Sequence, residues 1–140
     1  MNIIFLDIDG VLNNTHTITN TPDILDELCV IRLHKILKYT NARIVISSSW
    51  RERSDSHIKL LYETFSKCGI NPNVVISKTP SLSGQSRGDE IREWLANNRN
   101  VKNWIAIDDM KLDLENFIQI DYNYGLTDND VGKVIRFFDY

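Results

Sequence analysis

Short apolar runs, separated by longer amphipathic stretches, recur along the whole chain. Five of them predict buried strands, because a strand covered on both faces shows a continuous apolar run instead of alternation. They occupy residues 3–6, 43–46, 74–76, 104–107 and 117–120. Helical periodicity and terminal residues predict helices over 22–39, 54–67, 88–97 and 128–138. The polar stretch 13–21 predicts a loop or short hairpin, and the stretch 79–86 predicts a loop.

This order of elements predicts an α/β fold. Short strands that alternate with helices form a parallel sheet with helices on both faces. The 140 residues are enough for one core, so we expect a single domain over residues 1–140. Ligands of such sheets bind beyond the carboxyl ends of the strands, where the strand order switches. Polar clusters that directly follow the strands should therefore meet at one edge of the sheet.

The first strand ends in two carboxylates and a glycine, Asp7-Ile8-Asp9-Gly10. Two close carboxylates repel each other and lose solvation, and a divalent cation offsets that cost. Mg²⁺ prefers a few carboxylates together with water and phosphate oxygens. A strand cap or turn is the simpler interpretation of one aspartate, but the pair directly after four apolar residues favours a site. Gly10 lets the chain leave the strand sharply.

Hydroxyl groups follow the second strand, in Ser47-Ser48-Ser49-Trp50-Arg51. Hydroxyl and backbone N–H groups at a strand end can bind a phosphate oxygen. An ordinary serine-rich turn that caps a helix has the same composition. The planar guanidinium of Arg51 suits phosphate oxygens, although a surface ion pair is equally compatible with the sequence.

A second acidic pair, Asp108-Asp109, follows the fourth strand in the same way as the first pair follows its strand. A helix cap or turn is the alternative interpretation. Arg87 stands at the start of the helix before this strand, and Lys78 comes just after the third strand. In the sequence alone, an ion pair with Asp89 or Glu90 also explains Arg87.

Taken together, these motifs resemble those of the haloacid dehalogenase (HAD) superfamily of aspartate-nucleophile phosphatases. The chain is similar in particular to the HAD domains of Swiss-army-knife RNA repair proteins and, more distantly, to the phosphatase half of polynucleotide kinase-phosphatases. The resemblance implies a three-layer, Rossmann-like HAD fold with a mostly parallel five-stranded sheet. It runs from residue 3 to about 138 and rests on residues 5–12, 47–51, 87–95, 107–109 and 125–127. The gaps between the motifs leave no room for a cap domain.

The resemblance also implies a role for each acid. Asp7 would be the nucleophile that forms an aspartyl-phosphate, and Asp9 would be the general acid and base. An Asp two residues after the nucleophile separates the phosphatases of this family from its dehalogenases. Mg²⁺ would be held by Asp7, the backbone carbonyl of Asp9 and Asp109, with Asp108 in support through water.

On the substrate side, the resemblance makes Ser47 the phosphate ligand. The family usually has a lysine that neutralises the nucleophile and the phosphate; Arg87 is the first candidate for this role and Lys78 the second. Further substrate contacts are expected from Gly10, Ser48, Ser49 and Arg51.

Charge is distributed unevenly, although the net charge is only −3. Residues 1–31 contain five acids and no Lys or Arg, whereas residues 32–102 contain 13 Lys and Arg against six acids. Solvated helix surface explains such a distribution, but a basic surround of an acidic metal centre would also suit a phosphate-bearing polyanion. Together with the lack of room for a cap and the resemblance to RNA-repair phosphatase domains, this makes a terminal phosphate on RNA or DNA the expected substrate. Trp50 is a candidate for stacking on a terminal base. The basic residues are Arg43, Arg51, Arg53, Lys59, Lys78, Arg87 and Arg92.

Other functions are compatible with the same motifs. A small-molecule phosphatase such as a nucleotidase, capped by oligomerisation, is one alternative, and a non-catalytic, phosphate-binding regulatory HAD domain is another. A bacterial receiver domain would need a lone acceptor Asp after a middle strand, where this chain has serines. No apolar stretch is long enough to cross a membrane, and no basic region precedes an apolar run at the N-terminus. Together with the unpaired spacing of Cys29 and Cys68, these features predict a cytoplasmic protein with free thiols.

Overall fold

In the computed structural model, five parallel strands form one sheet in the order β3-β2-β1-β4-β5. The structure describes residues 1–20, 24–52 and 54–139, without the side chains of Asn20, Arg51 and Glu52. The α/β architecture and all five predicted strands are confirmed. The strands are β1 (Asn2–Leu6), β2 (Arg43–Ile46), β3 (Val75–Lys78), β4 (Asn103–Asp108) and β5 (Phe117–Gln119).

Helices connect the first four strands and follow the last one, whereas residues 109–116, between β4 and β5, contain no helix. Short 3₁₀ helices span Ser49–Glu52 and Pro72–Val74. In the described part of the chain, these connections contain no cap domain, in agreement with the prediction. The α-helices are α1 (Thr15–Asn20), α2 (Glu27–Thr40), α3 (Asp55–Lys67), α4 (Arg87–Ala96) and α5 (Asp128–Phe138). None of the described helices is long and apolar enough to cross a membrane.

The prediction of a loop or short hairpin over residues 13–21 is wrong, because helix α1 lies within this range. The Asn14 side-chain oxygen accepts hydrogen bonds from the Thr17 backbone N–H and from the Thr17 hydroxyl. This N-terminal cap satisfies a donor that a short polar helix otherwise leaves exposed. The β-branched composition of the segment conceals the helix in the sequence. The predicted helix start at residues 22 and 23 lies outside the described residues, and α2 begins at Glu27.

Two helical layers cover the two faces of the sheet. Alternate residues such as Ile4 and Leu6 pack into the larger apolar cluster, with residues of α2, α3 and α5. Ile3 and Phe5 project to the opposite face and pack with Ile91 and Trp94 of α4. The period of two along a strand therefore assigns every β1 residue to one of two cores. The same rule fixes the face on which the polar residues after each strand lie.

The turn before α5 brings three segments into close contact. Gly125 has a φ of +69°, in the left-handed region that glycine tolerates best. A Cβ placed on it would lie 2.8 Å from the Asn13 carbonyl oxygen and 2.9 Å from the Cys29 sulfur. Gly84 has a similar φ of +73°, but its Cβ would meet nothing within 4 Å.

Alanine variants at these two glycines distinguish the energetic cost of backbone strain from that of steric conflict. Gly84→Ala should lower the free energy of unfolding by about 1–2 kcal/mol, the cost of a left-handed non-glycine residue. Gly125→Ala should cost roughly 1–3 kcal/mol more, because the added methyl overpacks a buried contact. Urea unfolding of both variants measures the difference. Equal losses would show that the turn relaxes around the methyl group.

Candidate active site

The carboxyl ends of the three central strands bring the predicted motifs together. Leu6 at the end of β1 pairs with Ile46 of β2 on one side and with Ile107 of β4 on the other. The next residues, Asp7, Ser47 and Asp108, therefore lie side by side. Alternation places all three on the face that α4 covers. This is the point at which the strand order switches, as the sequence predicts.

Three carboxylates form the centre of the site. One oxygen from each of Asp7, Asp108 and Asp109 lies within 4.8 Å of the others. Asp7 is only 4% exposed and Asp108 is buried, whereas Asp109 is half-buried. Carboxylate oxygens at this spacing are the hard ligands that Mg²⁺ or Ca²⁺ selects. The donor set therefore fits a divalent metal ion.

Arg87 supplies positive charge to this centre from the first residue of α4. Its guanidinium lies 2.7 Å from Asp108 Oδ2 and 3.5 Å from Asp7 Oδ1. A capping box fixes the start of the helix: the Ser86 hydroxyl accepts from the Asp89 N–H, and the Asp89 carboxylate accepts from the Ser86 N–H. The cap thus anchors the backbone from which Arg87 reaches the carboxylates.

Lys78, the second candidate for the neutralising cation, lies on the other face of the sheet. It pairs with Ile46, whose side chain belongs to the cluster under α2, α3 and α5. Residues directly opposite on paired strands project to the same side. The neighbouring Ser77 lies on the α4 face, where it accepts a hydrogen bond from Trp94. Of the two cations, Arg87 is the one that contacts the acids.

Electrostatics show that the centre is short of positive charge. Burial raises the pKa of Asp7 to about 9, and repulsion from Asp108 and a hydrogen bond with Asp109 add to the effect against the opposing Arg87. Burial also raises the pKa of Asp108, although the hydrogen bond from Arg87 works against it. Burial alone would lower the pKa of Arg87, but its bond to Asp108 and the charge of Asp7 outweigh that and raise it. An added cation would favour the ionised acids.

Asp9 occupies a different environment from Asp7. Its Oδ1 accepts hydrogen bonds of 2.9 Å from the indole N–H of Trp50 and from the side-chain amide of Asn13. Both donors are neutral, and both belong to buried residues. The contact of Asn13 with Asp9 was not predicted from the sequence, where the available signal was the position of Asn13 in a turn four residues after Asp9. The two hydrogen bonds fix the orientation of the Asp9 carboxylate.

The predicted stacking role of Trp50 is wrong. Its side chain is fully buried in the larger apolar cluster, so its ring cannot stack on a ligand base. The ring instead packs edge-on against His57, and its polar N–H faces Asp9. A buried Trp usually finds such a partner for its N–H group. Trp50 therefore connects the core to the site.

Gly10 is required by close packing. Its φ is +84°, and a Cβ there would lie 2.6 Å from Asp109 Oδ2 and 2.7 Å from the Tyr122 ring. Its N–H donates to Asn13 Oδ1 at 2.7 Å, so this group is already bonded within the protein. The lack of a side chain at Gly10 thus leaves space for the side chains of Asp109 and Tyr122.

The serines after β2 occupy different positions. Ser47 Oγ is buried and has no hydrogen-bond partner among the described residues, which is unusual for a polar atom. Ser48 is also buried, and its hydroxyl accepts a hydrogen bond from the Trp50 backbone N–H at 3.2 Å. Ser49 is exposed and begins the 3₁₀ helix. The side chain of Arg51 lies outside the described residues, so its predicted substrate contact stays a prediction.

Among the described residues, most of the predicted basic surround is not gathered at this edge. Arg43 begins β2, at the opposite end of the strand from Ser47. Arg92 bonds Asp89 and the Asp113 carbonyl oxygen. Lys59 pairs with Glu63. Arg53 lies outside the described residues. Among the described basic side chains named above, Arg87 is the one that the structure joins to the acidic centre.

Comparison with known proteins agrees with this geometry. A family model described as the HAD domain in Swiss Army Knife RNA repair proteins matches residues 3–131. The searches of curated proteins and of solved structures returned no match. The family match covers every strand and the four motifs at the sheet edge. The chain belongs to the family of HAD domains found in Swiss Army Knife RNA repair proteins.

Proposed function

We propose that this protein is a Mg²⁺-dependent phosphatase that hydrolyses phosphomonoesters. One observation carries the proposal: Asp7 lies against Arg87 and two further acids, while Asp9 is held two residues away by neutral donors. A nucleophile beside a cation and an oriented second carboxylate are the two groups that phosphoryl transfer through an enzyme intermediate requires. Membership of the HAD family supports phosphatase-type chemistry in an RNA repair context.

In the proposed reaction, a carboxylate oxygen of Asp7 attacks phosphorus in line with the leaving oxygen. The new O–P bond forms an aspartyl-phosphate while the bond to the leaving group breaks, and Asp9 donates its proton to the leaving oxygen. Water then attacks phosphorus, Asp9 takes a proton from it, and the Asp7 carboxylate is released with inorganic phosphate. Arg87 balances charge on the phosphoryl oxygens. The buried hydroxyl of Ser47 donates to one of them.

Asp7 and Asp109, with the backbone carbonyl of Asp9, would hold the metal ion, and Asp108 would support it. When bound, Mg²⁺ neutralises charge on the phosphoryl group and helps to orient it. The raised pKa of Asp7 supports this assignment, because the carboxylate form needed for attack requires more positive charge than Arg87 supplies.

We infer that the substrate is a terminal phosphate on RNA or DNA. The described chain has no cap domain over the acids, which leaves the site accessible to a large substrate. The RNA repair context of the family supports the same substrate. A small-molecule phosphatase is the second candidate, because few of the described basic side chains predicted to bind a polyanion lie at this edge. A purely phosphate-binding domain is less well supported, since binding alone needs no oriented Asp9.

Mg²⁺ should bind the folded protein in the absence of substrate. Thermal unfolding followed with increasing MgCl₂, at constant ionic strength, should show a rising midpoint because the ion binds only the native carboxylate cluster. A concentration 100 times the dissociation constant stabilises by about 2.7 kcal/mol. Asp109→Asn should lose this shift, whereas Asp113→Asn, an exposed acid outside the cluster, should keep it. A midpoint insensitive to MgCl₂ would contradict the metal assignment.

Asp7 and Asp9 should be separable by kinetics. Asp7→Asn should abolish turnover of every phosphomonoester, because no aspartyl-phosphate can form. Asp9→Asn should reduce kcat by about 10²–10⁴-fold for alkyl phosphates, the usual contribution of a general acid. Its effect on the first step should be smaller for aryl phosphates, whose leaving groups need less protonation. Pre-steady-state release of the leaving alcohol or phenol measures that step, because the phosphoryl group stays on Asp7 until water attacks. A loss below about threefold with a poor leaving group would make Asp9 structural.

The substrate proposal is tested by comparing a phosphorylated oligonucleotide with the matching mononucleotide. The oligonucleotide should have the higher kcat/KM, and its advantage should shrink as salt rises, because backbone contacts release counterions. Both 5′- and 3′-phosphorylated forms belong in the series. Equal or faster turnover of the mononucleotide at low salt would favour the small-molecule phosphatase.

A further inference from the structure

Exposed apolar side chains occur in the segments that follow β4 and β5. Tyr122 is 41% exposed and Tyr124 is 67% exposed, in the turn that follows β5. Met110, next to Asp109, is also exposed. Exposed apolar groups beside a polar site are typical of surfaces that bind ligands. Tyr122 differs from the others because its ring reaches the motif after β1.

Tyr122 and Asp109 converge on the same residue. A Cβ on Gly10 would collide with both the Tyr122 ring and the Asp109 carboxylate, at 2.7 Å and 2.6 Å. The ring therefore lies over Gly10, directly after Asp9, and beside an acid of the metal cluster. Its remaining exposed surface faces solvent at the mouth of the site.

Hydrogen bonds hold the backbone of this turn in place. The Tyr122 carbonyl oxygen accepts from the Thr15 N–H at the start of α1. The Asp121 carbonyl oxygen accepts from the N–H groups of Tyr124 and Gly125, and the Asp121 carboxylate accepts from the Asn123 N–H. An aromatic side chain on a fixed backbone loses little entropy on binding, because it has few rotatable bonds.

The direction of attack determines what meets this ring. In-line displacement by Asp7 places the leaving group on the far side of phosphorus, where Asp9 must protonate it. The ring packs against Gly10, which directly follows Asp9 in the chain. We therefore expect the organic part of the substrate to extend from the phosphate toward Tyr122.

The chemistry of the neighbouring groove restricts the occupant. A groove of about 390 Å³ is lined by Tyr122, Asp109, Gln119, Ile120 and Asp121. Two carboxylates disfavour a second phosphate in this groove, since like charges repel. A neutral heteroaromatic ring stacks on tyrosine, and its amino groups can donate to carboxylates or to the Gln119 amide oxygen.

We propose that Tyr122 is the platform on which the base of the phosphorylated terminal nucleotide stacks. The assignment rests on the proposed phosphatase function and names the part of the substrate that the site recognises. Tyr122, which is accessible, takes the base-stacking role that was predicted for the buried Trp50.

Oligonucleotides that differ only at the terminal nucleotide test this assignment. Each carries a 5′ or 3′ terminal phosphate, on either an ordinary nucleotide or an abasic one. The wild-type protein should prefer the base-bearing substrate by about tenfold in kcat/KM at one of the two ends, a typical effect of one stacked base. Tyr122→Ala should reduce this ratio to about one, whereas Tyr122→Phe should keep it because the ring remains.

Tyr124→Ala is the matched control, since this tyrosine lies on the same turn with its side chain mostly in solvent. It should preserve the preference for the base, and circular dichroism should show that all three variants are folded. Equal turnover of base-bearing and abasic substrates by the wild type would overturn the platform alone. A preference that survives Tyr122→Ala would do the same. No turnover of any phosphorylated end would overturn the proposed substrate, and the platform with it.

Discussion

The structure depends most on how the charge of three clustered carboxylates, two buried and one half-buried, is balanced. Asp7, Asp108 and Asp109 approach within 4.8 Å, and burial with mutual repulsion raises the pKa of Asp7 to about 9. Arg87 offsets part of this charge from the start of α4. The balance requires β1 to lie beside β4 and α4 to cover the same face of the sheet. Sheet order is therefore a condition of the chemistry as well as of the fold.

Asp7 and Asp9 are only two positions apart in the sequence, but the fold places them in different surroundings. Asp7 lies among other acids and one guanidinium, whereas Asp9 accepts from two neutral N–H groups. Separate environments allow two carboxyl groups to take separate roles in one reaction. The Trp50 donor belongs to the core cluster shared by α2, α3 and α5. Packing beneath the sheet edge thus determines where the second carboxylate points.

The sequence was sufficient for the strands and for the acids, because each acidic pair directly follows an apolar run. It could not decide between Arg87 and Lys78, since that choice depends on which face of the sheet each residue occupies. It placed Trp50 at the substrate because residue type does not reveal burial. Helix α1 was hidden by β-branched residues, and its Asn14 cap became informative only with the structure. The described basic residues of the middle segment, such as Arg43 and Arg87, are separated by the fold, which the sequence does not reveal.

The distribution of charge also limits how this site can gain affinity for a large substrate. With Arg87 engaged by two acids, little positive charge among the described residues remains at the edge to attract a polyanion. Neutral contacts with the rest of the substrate can then add to the binding energy of the phosphate. Contacts remote from the reacting bond contribute to rate when they help to position the phosphate. An aromatic ring that packs against Gly10 beside Asp109, as the ring of Tyr122 does, would meet this requirement by contacting the leaving group.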